Sequence, residues 1–149
     1  SGTLCCYEAS KRVGPTGRVV GLVYSEAEKT DLQAIGACDE IILADATKPV
    51  DVLEKSLAAN HGEEYDISIC CVNVNSCEMS AILPVKDDGT VYFFSMATSF
   101  TKAALGAEGC GKDINMIIGN GYTKGHAEIT LNELRENEKI REMFDKKYL

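Results

Sequence analysis

Short apolar runs and amphipathic segments alternate along the whole chain. Five apolar runs predict β-strands, at residues 18–24, 40–44, 66–72, 90–95 and 114–118. Because these runs are apolar at nearly every position, they are typical of strands covered on both faces in a parallel sheet. Segments with helical spacing of apolar residues lie between them, and the connections are short. The alternation predicts an α/β fold with a doubly wound, mostly parallel, Rossmann-like sheet.

Signals for helix ends agree with this alternation. Ser25, followed three residues later by Glu28, predicts a capping box at the start of a helix that ends near Ile35. Pro49 predicts the first turn of the next helix, because proline sacrifices no hydrogen bond there. The Asp-Asp-Gly segment at 87–89 predicts a turn before the fourth strand. The C-terminal segment predicts one or two helices, with a break near Asn137.

The first twelve residues predict a helix with no strand before it. In a nucleotide-binding βαβ unit, a strand leads through G-x-G-x-x-G into a helix whose amino end binds the pyrophosphate. Gly2 fits the last glycine of such a fingerprint, although a Ser-Gly start is also typical of a tag remnant. We hypothesise that the first strand of the full fold is missing and that a gap interrupts the sheet centre. Residues 1–149 would then be part of a longer polypeptide, beginning inside its phosphate-binding turn.

Composition limits the classes of partner. The chain has 15 basic and 23 acidic residues and a net charge of -8, which disfavours nucleic acid because phosphate binding depends on Lys and Arg. No apolar run approaches the roughly 20 residues that span a bilayer. The sequence therefore predicts a soluble, cytoplasmic protein with no membrane partner. With 149 residues, 45% of them hydrophobic, it is long enough for one domain.

The cysteines predict neither a metal site nor a disulfide scaffold. Seven are present, at positions 5, 6, 38, 70, 71, 77 and 110. They contain no C-x-x-C pair, and their spacing does not fit zinc. We expect reduced structural thiols, as is usual in a reducing cytoplasm, and no bound metal.

Residues that follow the strands are the candidates for ligand binding, because open α/β sheets bind ligands beyond the carboxyl ends of their strands. With Gly2, the predicted cofactor-binding residues are Tyr24, Ser25, Glu26, Asp45, Ala46, Asn73, Val74, Ser95, Met96, Ala97 and Asn120.

Each candidate also has a purely structural interpretation. An acid that binds the adenosine ribose is expected about 20 residues past the glycines; Glu26 lies slightly later and could instead be a helix-start charge favoured by the dipole. Asn73 could bind a ribose or a carboxamide, or simply form a turn. The small residues at 95–98 could admit a flat nicotinamide or cap a helix. Asn120, before Gly121, could allow close ligand approach or form a turn.

No catalytic residue can be assigned from these patterns. His126 at a helix start could be a general acid or merely a helix-start residue, and His61 is expected to be exposed in a turn. The sequence lacks G-x-S-x-G, a Cys/His pairing and a Walker lysine, which disfavours hydrolase and phosphotransferase chemistry.

Two longer runs carry a specific resemblance: GTVYFFSMATSFTKAALGAEG at residues 89–109 and NMIIGNGYTKGHAE at residues 115–128. They resemble the L-erythro-3,5-diaminohexanoate dehydrogenases, enzymes of lysine fermentation related to the medium-chain dehydrogenases, and the resemblance covers essentially the whole chain. It implies NAD-linked oxidative deamination of a diamino acid to 5-amino-3-oxohexanoate and ammonia. It also implies that residues 1–149 are the dinucleotide-binding, C-terminal part of a longer dehydrogenase, inactive alone and weak in NAD binding. It also implies a homodimer joined through the edge strand at 114–118.

Two other functions remain open. The chain could belong to an NADP-linked medium-chain alcohol or quinone reductase, or it could be a non-catalytic nucleotide-binding or assembly domain. A comparison of NAD with NADP would separate the first alternative from an NAD-dependent amine dehydrogenase.

Overall fold

Helices and parallel strands alternate in the computed structural model until two consecutive helices close the fold; the structure describes residues 1–119 and 121–149. The helices are α1 (Gly2–Arg12), α2 (Glu26–Ile35), α3 (Pro49–Ala59), α4 (Glu78–Ile82), α5 (Phe100–Gly109), α6 (His126–Glu136) and α7 (Glu138–Tyr148). The strands are β1 (Val20–Val23), β2 (Glu40–Leu43), β3 (Tyr65–Cys70), β4 (Val85–Phe93) and β5 (Asn115–Ile118).

The strands form two parallel sheets. β1 pairs with β2, from Val20 opposite Glu40 to Val23 opposite Leu43. In the other sheet, β4 lies between β3 and β5. The predicted α/β class and parallel pairing are therefore confirmed. The predicted interruption of the sheet is confirmed, because among the described residues no strand joins β1 and β2 to β3.

Helix α1 approaches strands of both sheets. A Cβ added to Gly2 would lie 3.8 Å from the Cβ of Cys71, directly after β3. At the other sheet, the Cys6 sulfur lies 3.9 Å from the position of a Cβ on Gly21, within β1. α1 therefore spans the interval between the two sheets.

Two apolar cores hold the elements together. One is formed by β4 with α4 and α5, and its fully buried side chains include Ile82, Val85, Val91 and Phe93. The other contains Ile35 and Ile140, with partly buried residues of α1, α6 and α7 packed against it. The C-terminal helices thereby cover α1 and α2 with Leu134, Ile140, Met143 and Phe144, whereas Ile129 and Leu131 of the same segment stay exposed.

Local capping signals are confirmed. The Ser25 hydroxyl accepts a hydrogen bond from the Glu28 amide, and the Glu28 carboxylate accepts one from the Ser25 amide, which completes the predicted capping box. Pro49 begins α3 as predicted. The Asn137 side chain accepts from the Ile140 amide at 3.1 Å, so the predicted break separates α6 from α7.

The predicted turn at 87–89 is wrong, because these residues lie inside β4 as an irregularity. Tyr65 pairs with Val85, but Ile67 pairs with Thr90, so β4 accommodates extra residues against β3. Asp88 has a φ of 62°, and its amide donates to the carbonyl of Asp113 at 2.7 Å. Hydrogen bonds to distant parts of the chain thus convert a local turn signal into a bulge.

Across the described residues, every helix is too short or too polar to traverse a lipid bilayer.

Candidate functional site

The amino end of α1 lies beside the carboxyl end of β3. Gly2 is the first residue of α1, and within residues 1–119 and 121–149 no side chain caps this end of the helix. Its amide groups therefore remain available to an anion, which the helix dipole also favours. The 3.8 Å separation between an added Cβ and Cys71 is ordinary van der Waals contact, so close packing does not by itself require glycine at position 2.

Asn73, Ser95 and Ala97 come together where β3 and β4 end. The Ser95 hydroxyl donates to Oδ1 of Asn73 at 3.3 Å, and the Ala97 amide donates to the Ser95 oxygen at 3.1 Å. The neighbouring strands bring these residues together although 22 positions separate Asn73 from Ser95. They form a small polar ledge, defined here as Asn73, Ser95 and Ala97.

Apolar side chains near the strand ends are exposed. Met96 is 97% exposed, Tyr24 is 72% exposed and Val74 is 51% exposed. Exposing large apolar groups to water is unfavourable, so a flat, partly apolar ligand on this edge would gain free energy by covering them.

Glu26 and Glu28 have different roles after β1. Oε2 of Glu28 accepts from the amides of Tyr24, at 2.9 Å, and Ser25, at 3.1 Å. Glu26 is exposed, and its carboxylate makes no hydrogen bond or ion pair within the described parts of the chain. Glu28 therefore accepts the hydrogen bonds of the backbone amides before α2, and the Glu26 carboxylate stays free for a ligand.

Asp45 and Ala46 are engaged in local structure after β2. Oδ1 of Asp45 accepts from the amide and the hydroxyl of Thr47, at 2.9 and 2.7 Å, and these bonds lower the pKa of the Asp45 carboxyl. The carbonyl of Ala46 accepts from the Ser80 hydroxyl at 2.6 Å. These contacts stabilise the turn and attach it to α4.

A buried carboxylate near the ledge was not predicted from the sequence. Glu78, in the first turn of α4, is 4% exposed, and its Oε1 accepts from the Ser99 amide at 2.8 Å. Ser99 caps α5 by accepting from the Lys102 amide. Glu78 therefore positions the segment that follows Ser95 to Ala97.

The two histidines lie apart from the ledge contacts. His126 begins α6, is exposed, and packs edge-on against Tyr122, with ring centroids 5.0 Å apart. His61 is exposed in a turn with a φ of 57°, as predicted. Asn120, the remaining predicted binding residue, lies outside the described residues.

A groove of about 460 Å³ lies elsewhere, between β2 and α3. Its lining includes Arg18, Glu40, Leu43, Lys55 and His61. It follows the length of β2 rather than the carboxyl ends of the strands. Because the strand ends carry the candidate chemistry in this class of fold, we assign the candidate site to the ledge and the amino end of α1.

A second carboxylate is buried between α1 and α6. Glu133 is 2% exposed, and burial together with the nearby Glu8 carboxylate raises the pKa of Glu133 to about 6. Lys11 lies beside this cluster, with its Nζ 2.8 Å from Glu8 and 3.0 Å from Glu136. The ionised form of Glu133 therefore destabilises the packing of these helices, and the positive charge of Lys11 offsets part of this effect.

Glu133→Gln is expected to stabilise the protein at pH 8 by on the order of 2 kcal/mol. The pKa of Glu133 in the folded protein, about 6, lies above the ordinary value of 4.5, so the wild type gains stability when Glu133 is protonated. That gain is complete below pH 4.5 and is lost as the pH rises through 6. Urea unfolding of both proteins from pH 4.5 to 8 measures the difference, with the exposed Glu54→Gln as the charge-loss control. A pH-independent difference would contradict the assignment.

Known proteins resemble this chain in sequence and in fold. No protein-family model matches the chain. It is 70% identical over 149 residues to a curated L-erythro-3,5-diaminohexanoate dehydrogenase of Acetoanaerobium sticklandii. It is 61% identical over 149 residues to the protein of the same name from Fusobacterium nucleatum. The chain spans 43% of the length of each relative.

Two solved structures share the fold at low identity. The crystal structure of AibC matches with a TM-score of 0.56 and 15% identity, over 79% of this chain and 31% of that one. A mycobacterial protein, Rv1454c, solved with NADPH, matches with a TM-score of 0.52 and 14% identity, over 97% of this chain and 51% of that one. At such identities the likeness concerns the fold alone.

Proposed function

We propose that residues 1–149 form the dinucleotide-binding domain of a longer NAD-dependent amine dehydrogenase. Its reaction is the oxidative deamination of L-erythro-3,5-diaminohexanoate to 5-amino-3-oxohexanoate and ammonia. The observation that carries the proposal is 70% and 61% identity, along all 149 residues, to two proteins named for this dehydrogenase. Because the chain spans 43% of those relatives, the complete reaction is proposed for the longer polypeptide.

The residues at the strand ends fit a dinucleotide. The uncapped amides at the start of α1 suit the pyrophosphate, because a helix amino end favours an anion. The free carboxylate of Glu26 suits the hydroxyls of the adenosine ribose. The ledge, with the amide group of Asn73, suits the carboxamide or ribose at the nicotinamide end. Ligand contact would also cover the exposed Met96 and Val74.

A nicotinamide cofactor held at these residues would supply the hydride-transfer chemistry of the proposed reaction. The residues at the strand ends would bind and orient the reactants. Ser95 and Ala97 hold the small-residue turn in shape through the hydrogen bond between them, and Glu78 anchors the next segment through Ser99. We assign no proton acceptor to this chain.

Turnover by the product of the complete reading frame tests the proposed reaction directly. We expect L-erythro-3,5-diaminohexanoate to reduce NAD, with one ammonia released for each NADH formed. Absorbance of the reduced nicotinamide and an enzymatic ammonia assay follow the two products. The absence of turnover with this substrate would contradict the proposal. NADP-dependent reduction of alcohol or quinone substrates would favour the reductase alternative, which is compatible with the same fold.

Glu26→Ala is expected to weaken NAD binding about tenfold, because it removes charge-assisted hydrogen bonds to the ribose hydroxyls. It is also expected to reduce the preference for NAD over NADP, because the carboxylate that repels a 2′-phosphate is lost. Calorimetric titration of both cofactors on the complete protein measures this effect. Glu54→Ala, which removes an exposed glutamate from α3, is the matched control. Equal NAD affinities in the two variants would refute a ribose contact by Glu26.

We further propose that β5 pairs with its copy in a homodimer. One edge of β5 pairs with β4. β5 is the outermost strand of this sheet in the described part of the chain, so its other edge is available for pairing. Ile117 is 49% exposed and Ile118 is 37% exposed, so pairing would satisfy the strand edge and cover apolar surface. Light scattering on the complete protein tests this, and a monomer at micromolar concentration would contradict it.

A further inference from the structure

Two thiols meet at the amino end of α1. The sulfurs of Cys5, in the first turns of the helix, and Cys71, directly after β3, lie 4.0 Å apart. The two residues are 66 positions apart in sequence, so the tertiary structure alone brings them together. Both side chains are partly exposed, which leaves them accessible to small oxidants.

We propose that Cys5 and Cys71 are a redox modification site, in which a two-electron oxidant such as hydrogen peroxide closes a reversible disulfide. A disulfide bond is about 2 Å long, so the sulfurs would have to approach by about 2 Å. The link would fasten the amino end of α1 to the residue that follows β3. The proposal depends on the placement of the thiols and does not depend on the proposed dehydrogenase activity.

The two thiols have complementary reactivities. The hydrogen bond with Cys71 lowers the pKa of Cys5 to about 7, although burial opposes this effect. The same contact and burial raise the pKa of Cys71. Near neutral pH, Cys5 is therefore the more ionised thiol, and the thiolate is the form that reacts with peroxide. Cys71 is placed to react with the oxidised Cys5.

The reaction balances in two steps. The Cys5 thiolate attacks one oxygen of hydrogen peroxide, the O–O bond breaks, and Cys5 sulfenic acid and hydroxide form. The Cys71 sulfur then attacks the Cys5 sulfur, the S–O bond breaks, and water leaves with the thiol proton. The two sulfurs together lose two electrons, and peroxide gains them. A dithiol such as dithiothreitol reverses the link by thiol–disulfide exchange.

A neighbouring thiol pair provides an internal competitor. Cys6 and Cys38 lie 3.9 and 3.0 Å from the position of a Cβ on the buried Gly21, and the contact with Cys6 lowers the pKa of Cys38. Cδ2 of Leu32 lies 2.7 Å from the position of the same added Cβ. All four thiols are partly exposed, but the buried residues Gly21 and Leu32 lie against Cys6 and Cys38 and restrict access to that pair. Cys5 and Cys71 are expected to react first.

Peptide mapping of the complete protein tests the site. The reduced protein is treated with stoichiometric hydrogen peroxide, its remaining thiols are alkylated, and the proteolytic peptides are weighed with and without dithiothreitol. We expect a Cys5–Cys71 linked peptide, lighter than its parts by two hydrogen atoms. We also expect the loss of two of the seven thiols of this region. Dithiothreitol restores both thiols.

Variants separate the partners. In Cys71→Ser the link is expected to disappear and Cys5 to accumulate as a sulfenic acid that dimedone traps, whereas Cys110→Ser, at an exposed thiol, keeps the link. Cys5→Ser also abolishes the link and serves if Cys71→Ser fails to fold. The proposal would be overturned if the Cys6–Cys38 disulfide formed before the Cys5–Cys71 disulfide in the wild type. It would also be overturned if Cys5 stayed reduced while other thiols were oxidised.

Discussion

Phe93→Ala is expected to lower the free energy of unfolding by about 3–5 kcal/mol. Phe93 is 1% exposed at the end of β4 and lies in the core formed with Val91, Ile82 and Ala103. Removing its ring forfeits the transfer free energy of a large apolar group and leaves a cavity between the sheet and the helices. Because Phe93 also precedes Ser95 by two residues, the ledge is expected to lose its fixed position as well.

The neighbouring residue provides the control for this prediction. Phe94 has the same side chain but is 54% exposed, so Phe94→Ala is expected to cost less than about 1 kcal/mol. Urea unfolding followed by circular dichroism gives both free energies. The comparison requires that the slope of the unfolding free energy against urea concentration be the same in each variant. Equal losses at the two positions would show that the burial assigned to β4 is wrong.

Gly89→Ala is expected to destabilise the protein by about 3 kcal/mol, near the upper end for overpacking. An added Cβ would lie 2.5 Å from Cγ1 of Val85, 2.8 Å from the carbonyl of Lys86 and 2.9 Å from that of Asp66. Backbone oxygens cannot move aside as a flexible side chain would, so relief requires a shift of the bulge that sets the register of β3 and β4. The ledge depends on that register.

Gly109→Ala is the matched control for Gly89→Ala. Among the described residues, no heavy atom outside the local chain lies within 4 Å of a Cβ at Gly109. Gly109 ends α5, where alanine is a better helix former than glycine, so this variant is expected to be unchanged or slightly more stable. Thermal unfolding of the two variants compares them. A Gly89→Ala protein that unfolds at the wild-type temperature would contradict the bulge geometry.

The candidate site was only partly predictable. The topology rule places ligand-binding residues after the strands, and it correctly brought Asn73, Ser95 and Ala97 into one neighbourhood. It did not separate Glu26 from Glu28, because both carboxylates lie in the same helix turn and only the hydrogen-bond partners distinguish them. Cofactor binding by any of the predicted residues stays a prediction.

What the sequence determined by itself was local. The capping box at Ser25, the helix start at Pro49 and the break at Asn137 follow from hydrogen bonds that close within three or four residues, so their signals are complete within a short segment. Apolar runs likewise determined which segments are strands. The predicted burial of both strand faces is wrong for β3 and β5, because Ile67, Ile69 and Ile117 are exposed.

The tertiary structure decided what depends on distant partners. The bulge of β4 arises from pairing with β3 and from a hydrogen bond to Asp113, neither of which lies in the Asp-Asp-Gly segment itself. Burial of Glu133 arises from the docking of α6 on α1, and the approach of Cys5 to Cys71 arises from the placement of α1 beside β3. Such contacts join residues tens of positions apart, and only the folded arrangement of the elements determines their energies.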